Sequence, residues 1–155
     1  MMYKYTNEEI KRKVNIAIGI LFKNDSFLLE NNVHERSIAH KLAEYLQIQF
    51  LDWDVDCEYN LKELEIKELE GISQCSSHRA TDRVLPDIII HKRNSNYNLL
   101  VVEIKTNYQD DAYDIEKLKL FTANNGEYKY VLGLFIKFNR SNNPSMRWFK
   151  NGHEE

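Results

Sequence analysis

The sequence predicts an α/β domain, a sheet of about four strands with helices packed on it. Three observations carry that expectation. Residues 6–22 and 33–50 repeat apolar side chains at helical spacing. Residues 51–60 alternate apolar and acidic side chains with the strand period of two. Two apolar strand-length runs, at 86–91 and 99–105, are followed by a third helical pattern and a last run at 128–138. The order is helix, strand, strand, strand, helix, strand, preceded by an extra helix. Sheet with helices laid on it is the economical way to bury such elements.

The first helix is expected to open at Thr6. "TNEE" has the form of a capping box, with Thr6 and Glu9 each accepting the other's backbone N–H. Ile10, Val14, Ala17, Ile18 and Leu21 then form its stripe, and "KNDS" interrupts it. In the second helix Ile38, Leu42, Tyr45, Leu46 and Gln49 fall on one stripe. Arg36, Ser37, His40, Lys41, Glu44 and Gln47 fall on the wet face. Glu35 lies beside the apolar stripe in the first turn. Asn32 is read as a cap, which would make Glu35 the third helical residue of a capping-box-like pair.

The alternating strand sets Trp53, Val55, Cys57 and Tyr59 against Asp52, Asp54, Asp56 and Glu58, with the acidic face solvated. Residues 61–71 read as a short helix stopped at Gly71, and 72–83 as a loop. "PDIIIH" is a strand beginning at Pro86, where proline is tolerated. Pairing it with "LLVVEIK" as a hairpin, His91 against Leu99, sets Asp87 against Glu103. Residues 110–128 read as a helix with Tyr113, Leu118 and Phe121 inward and a stop at Asn125-Gly126. Residues 139–155 read as a polar, basic tail containing Trp148 and Phe149.

The 155 residues fit one domain, 1–155. A net charge of −3 argues against a general polyanion binder, yet residues 128–153 hold five basic residues and no acid before His153. No apolar run approaches the ~20 residues of a membrane helix, and no signal-peptide pattern is seen. The chain is expected to be soluble and cytoplasmic, with no membrane partner. Cys57 and Cys75 lack His or Cys neighbours at ligand spacing, so neither a disulfide framework nor a zinc site is expected.

"LLVVEIK" raises the chemical question. A strand bound for the interior carries Glu103 and Lys105 on one face, and the hairpin register adds Asp87. Neighbouring carboxylates repel and resist ionisation without a cation. A hard divalent ion such as Mg2+ resolves this, taking one or two carboxylates, water and substrate phosphate. The Ile104 carbonyl is a further oxygen within reach. Lys105 could hold an attacking water or offset charge growing on a phosphate. An isolated E-x-K is a weak signal, since "EIK" recurs at residues 65–67. Its bland reading is an edge-strand ion pair of little energetic weight.

"PDIII" followed by "VVEIK" resembles the PD-(D/E)XK nuclease superfamily, also called restriction-endonuclease-like. The resemblance covers residues 33–138. It implies an αβββαβ core around a mixed sheet, with the helix at 6–22 and the tail at 139–155 lying outside it. It further implies Mg2+-dependent hydrolysis of nucleic-acid phosphodiesters, Mn2+ serving as a substitute and DNA favoured over RNA. Carried over by position, Asp87 and Glu103 bind metal together with the Ile104 carbonyl. Lys105 orients or activates water, and Glu35 is an accessory ligand. Arg79 and Arg83, just before Pro86, and Lys117 on the second core helix could touch substrate phosphates. The arginines could equally balance the acidic strand, and Lys117 could be a solvated charge. The overall acidity departs from the expectation for a nucleic-acid enzyme. A second class fits the same residues: a nuclease-fold subunit that binds a protein or nucleic acid and does not cleave. With no separate recognition domain in view, specificity would come from a homo-oligomer or a partner subunit.

Overall fold

The computed structural model describes residues 5–31, 34–57, 85–106, 110–139 and 143–155. Helix α1 spans Asn7–Glu30. Its capping box is formed: Glu9 N–H donates to Thr6 Oγ1 at 3.2 Å and Thr6 N–H to Glu9 Oε2 at 2.7 Å. Thr6→Ala is expected to cost ~1 kcal/mol, read as a lower denaturant midpoint. The helix does not stop at "KNDS". It kinks at Asp25 (φ −128°, ψ 30°) and continues to Glu30. The Tyr45 hydroxyl donates to the Asp25 carboxylate, tying the kink to the second helix.

Helix α2 spans Glu35–Gln49 and buries Ile38, Ala39, Leu42, Ala43 and Leu46. His34 is its cap residue and makes no side-chain cap bond. Glu35 is therefore the first helical residue and not the third, and the proposed cap Asn32 lies outside the described residues. Gln47 is not a solvated side chain. Its amide donates to Phe50 O (3.1 Å) and Trp53 O (2.8 Å) and accepts from Val55 N–H (3.2 Å), fixing the turn that follows α2.

The strands are β1 (Asp54–Cys57), β2 (Ile88–His91), β3 (Asn98–Lys105), β4 (Leu132–Lys137), β5 (Ser145–Lys150) and β6 (His153–Glu154). Helix α3 (Ala112–Thr122) connects β3 to β4. Among the described residues the fold is α/β, with three helices and a mixed six-stranded sheet in the order β1-β2-β3-β4-β5-β6. Among the described strand pairs only β3/β4 is parallel. Three expectations fall outside the described residues: the helix at 61–71, the loop after it with Arg79, Arg83 and Cys75, and the pair Glu58 and Tyr59.

The sheet is wider than the expected four strands because the C-terminal segment is no tail. Phe149 is fully buried, and β5 pairs with β4 along Gly133↔Phe149 to Lys137↔Ser145. Asn151 and Gly152 both have positive φ (54° and 83°), the signature of a tight hairpin turn into β6. Arg147 pairs with Glu154 at 2.7 Å, and Lys11 reaches Glu155 at 2.6 Å. The acidic face of β1 is likewise engaged: Asp56 accepts from Arg93 Nε at 3.0 Å and contacts His91 Nε2 at 2.7 Å.

Strand alternation divides the core between two faces. Ile88, Ile90, Leu100, Val102, Ile104, Leu132, Leu134 and Ile136 pack with the stripes of α1 and α2. Ile89, Val101, Phe135 and Phe149 pack with Ile115, Leu118 and Phe121 of α3. Helix α3 ends at Thr122, ahead of the expected stop, and sits close against β4. A Cβ on Gly133 would stand 3.1 Å from Thr122 Cγ2 and 3.3 Å from Leu118 Cδ2. No helix among the described residues is long and apolar enough to cross a membrane.

Candidate active site

The register of the β2/β3 hairpin places the charged residues. Ile88 pairs with Val102, Ile89 with Val101 and Ile90 with Leu100, as the sequence pattern requires. The register slips only at His91, which meets Asn98 instead of Leu99. Continued the other way, the same register sets Asp87 opposite Glu103 and Pro86 opposite Ile104. Proline has no N–H to offer the Ile104 carbonyl. Asp87 takes over the other half of that ladder position, its Oδ2 accepting the Ile104 N–H at 2.7 Å.

Residues two apart on a strand direct their N–H and C=O groups to the same edge. The next N–H on this edge belongs to Thr106. There Glu35 Oε1, arriving from the first turn of α2, stands 3.4 Å from both the Thr106 N and its Oγ1. The Ile104 carbonyl thus lies along the edge between the positions where Asp87 and Glu35 present their carboxylates.

Glu103 and Lys105 project from the α3 face, opposite Val102 and Ile104 in the other core layer. Glu103 is only 2% exposed. Lys117 of α3 brings Nζ to 2.8 Å from Glu103 Oε1. The ammonium caps Oε1 at contact distance, an ion pair with both side chains buried. Lys117 also donates to Leu85 O at 3.4 Å and lies 3.7 Å from Asp114 Oδ1. The other oxygen of Asp114 is 3.2 Å from Lys105 Nζ.

Of the residues singled out from sequence, Glu35, Asp87, Glu103, Ile104 and Lys105 converge on the C-terminal end of β3. Arg79 and Arg83 lie outside the described residues. Lys117 is in the cluster but not as a surface cation. It is 5% exposed and turned onto Glu103. Asp114 was not anticipated. The sequence signal for it is helical spacing, since 114, 117 or 118, and 121 share the inward face with Leu118 and Phe121.

The cluster contains four carboxylates and two ammonium groups, a formal excess of two negative charges. Burial pushes the Glu103 carboxyl well above the usual range. The Lys117 ammonium opposes this, and Asp87 and Asp114 reinforce it. Burial likewise raises Asp87, against the Ile104 N–H and Lys117, with Asp114 and Glu35 adding to the rise. Lys105 is raised too: burial alone would lower it, but Asp114, with Glu35 and Asp87 adding to it, outweighs that and keeps it an ammonium.

An acid whose folded pKa lies above its unfolded value stabilises the fold most below the unfolded value, and that contribution is lost as pH rises through the folded one. For Asp87 the loss begins near 3.8 and continues upward. Without divalent ions, Asp87→Asn is therefore expected to gain stability relative to wild type as pH climbs from 4 toward neutrality (~7). The asparagine oxygen can still accept the Ile104 N–H. Denaturant unfolding of the two proteins across that range checks it, and a gap that shrinks with rising pH would contradict it.

Among the described residues, no group of three or more His, Cys, Asp or Glu side chains is arranged to hold a metal ion. The donors still suit a hard cation that needs few protein ligands. They are oxygens, they include the buried Glu103 carboxylate, and they leave a formal excess of two negative charges to neutralise. No family model matches the chain, and no curated protein matches it in sequence.

Proposed function

We propose that the chain is a Mg2+-dependent nuclease of the PD-(D/E)XK kind, hydrolysing nucleic-acid phosphodiesters with DNA favoured over RNA. One observation carries the reading. Asp87, the Ile104 carbonyl and Glu35 gather on one edge of β3, with Glu103 and Lys105 on the adjoining face. The α2–β1–β2–β3–α3–β4 order, an antiparallel meander followed by a parallel strand, supports a restriction-endonuclease-like core.

Asp87, Glu103 and the Ile104 carbonyl would hold the ion, with Glu35 as accessory. When bound, Mg2+ polarises a phosphoryl oxygen and makes its bound water a stronger acid. The backbone N–H groups of Ile104 and Thr106 fix Asp87 and Glu35 beforehand. Lys105 acts as a fixed positive group. Its pairing with Asp114 keeps it protonated, so it orients water or offsets charge on the phosphate and does not remove a proton. Lys137, beside Lys105 in the parallel register and paired with Asp111 at 3.1 Å, supplies a second cation at the same strand end.

The test is incubation of the purified chain with supercoiled, linear and single-stranded DNA and with RNA, in Mg2+ or Mn2+. Cleavage of at least one is expected, and none of any would sink the reading. A nuclease-fold subunit that binds without cutting is the second reading. It is favoured by one feature: both lysines are already tied to carboxylates in a closed network. Retention of nucleic acid or a protein partner with no cleavage and no Mg2+ uptake would select it. In either case sequence preference would come from a second copy or a partner subunit.

A further inference from the structure

We propose that Lys117 is a resident counter-ion, holding the Glu103 carboxylate until a divalent ion replaces it and the ammonium passes to Asp114. The inference rests on the metal-dependent reading above. Three oxygens surround Lys117 Nζ: Glu103 Oε1 at 2.8 Å, Leu85 O at 3.4 Å and Asp114 Oδ1 at 3.7 Å. That is the oxygen-rich setting a hard cation would occupy. Substrate contact does not explain the residue, because the side chain is 5% exposed. Simple core packing does not either, because a buried charge is kept only where it is paired.

Two cations cannot share Glu103 Oε1 at contact distance without strong repulsion in so dry a place. An ion that takes Glu103 Oε1 therefore moves the ammonium. Asp114 is the available acceptor. It lies one helical turn before Lys117, already within 3.7 Å, and it also holds Lys105. The flexible lysine stem spans the change without moving α3. The ring of Tyr113, 5.5 Å from Nζ, gives the ammonium a further favourable surface near that position. The swap keeps Glu103 neutralised in the ion-free chain and tunes ion affinity downward.

The test is Mg2+ titration of isotope-labelled wild-type protein, following the Lys117 Nζ resonance by NMR, with calorimetry on wild type and Lys117→Met. The Lys117 signal is expected to shift along the calorimetric binding curve, and Lys117→Met to bind Mg2+ at least ~10-fold more tightly. Should Lys117→Met fail to fold, the wild-type resonance alone decides. Saturable Mg2+ binding with an unmoved Lys117 signal would overturn this inference and leave the nuclease reading standing. Absence of Mg2+ binding by both proteins would overturn both.

Discussion

Asp87→Asn is expected to remove Mg2+-dependent cleavage, by a factor on the order of 10³ or more, while leaving the fold intact. The factor follows from losing several kcal/mol of ion-derived stabilisation at about 1.4 kcal/mol per decade of rate. The fold survives because of what Asp87 does locally. Its Oδ2 accepts the Ile104 N–H just beyond the end of the β2 ladder. An asparagine oxygen accepts the same bond but contributes no charge. Asp87→Ala loses both and mixes a structural defect into the kinetics, since an abandoned buried N–H costs about 1–3 kcal/mol. Single-turnover cleavage and denaturant unfolding, measured on the same preparations, separate the two contributions. Near neutral pH the asparagine variant should be at least as stable as wild type, in keeping with the raised pKa of Asp87.

Phe149→Ala is expected to cost about 3–5 kcal/mol, a large share of the stability of a domain this size. Phe149 is fully buried between the sheet and α3, where it joins Leu118, Phe121 and Phe135. It also lies against Gly133, the glycine that lets α3 approach β4. Truncation opens a cavity under the helix that carries Asp114 and Lys117, so the ion-pair cluster should loosen along with the core. A large fall in the thermal midpoint checks this. A change of under ~0.5 kcal/mol, the size of an ordinary surface substitution, would show that the C-terminal hairpin is not part of the core.

The elements that build the site were legible because their signals are strong and local. The capping box at Thr6, the stripe of α2 and the β2/β3 register each follow from spacing alone, and the register held through Ile88, Ile89 and Ile90. The C-terminal hairpin was not read, although Asn151-Gly152 is the dipeptide that two-residue hairpin turns favour. Flanking strands of six and two residues give little alternation to detect. The kinked continuation of α1 was missed for a similar reason, because polar residues at the kink look like a helix end. Within the site, the E-x-K face and Asp87 were found, but the partners of the two lysines were not. Asp114 and Lys117 meet Lys105 and Glu103 across the layer between helix and sheet, and pairings of that kind depend on packing that no local pattern encodes.

The central claim is that the carboxylates at the end of β3 serve a divalent ion in phosphodiester hydrolysis. Chelation followed by ion add-back on the wild-type chain tests it most directly. Protein stripped of metal should leave nucleic acid intact, and cleavage should return on adding Mg2+ or Mn2+. Cleavage that persists in excess chelator, or that never appears at any ion concentration, would contradict it.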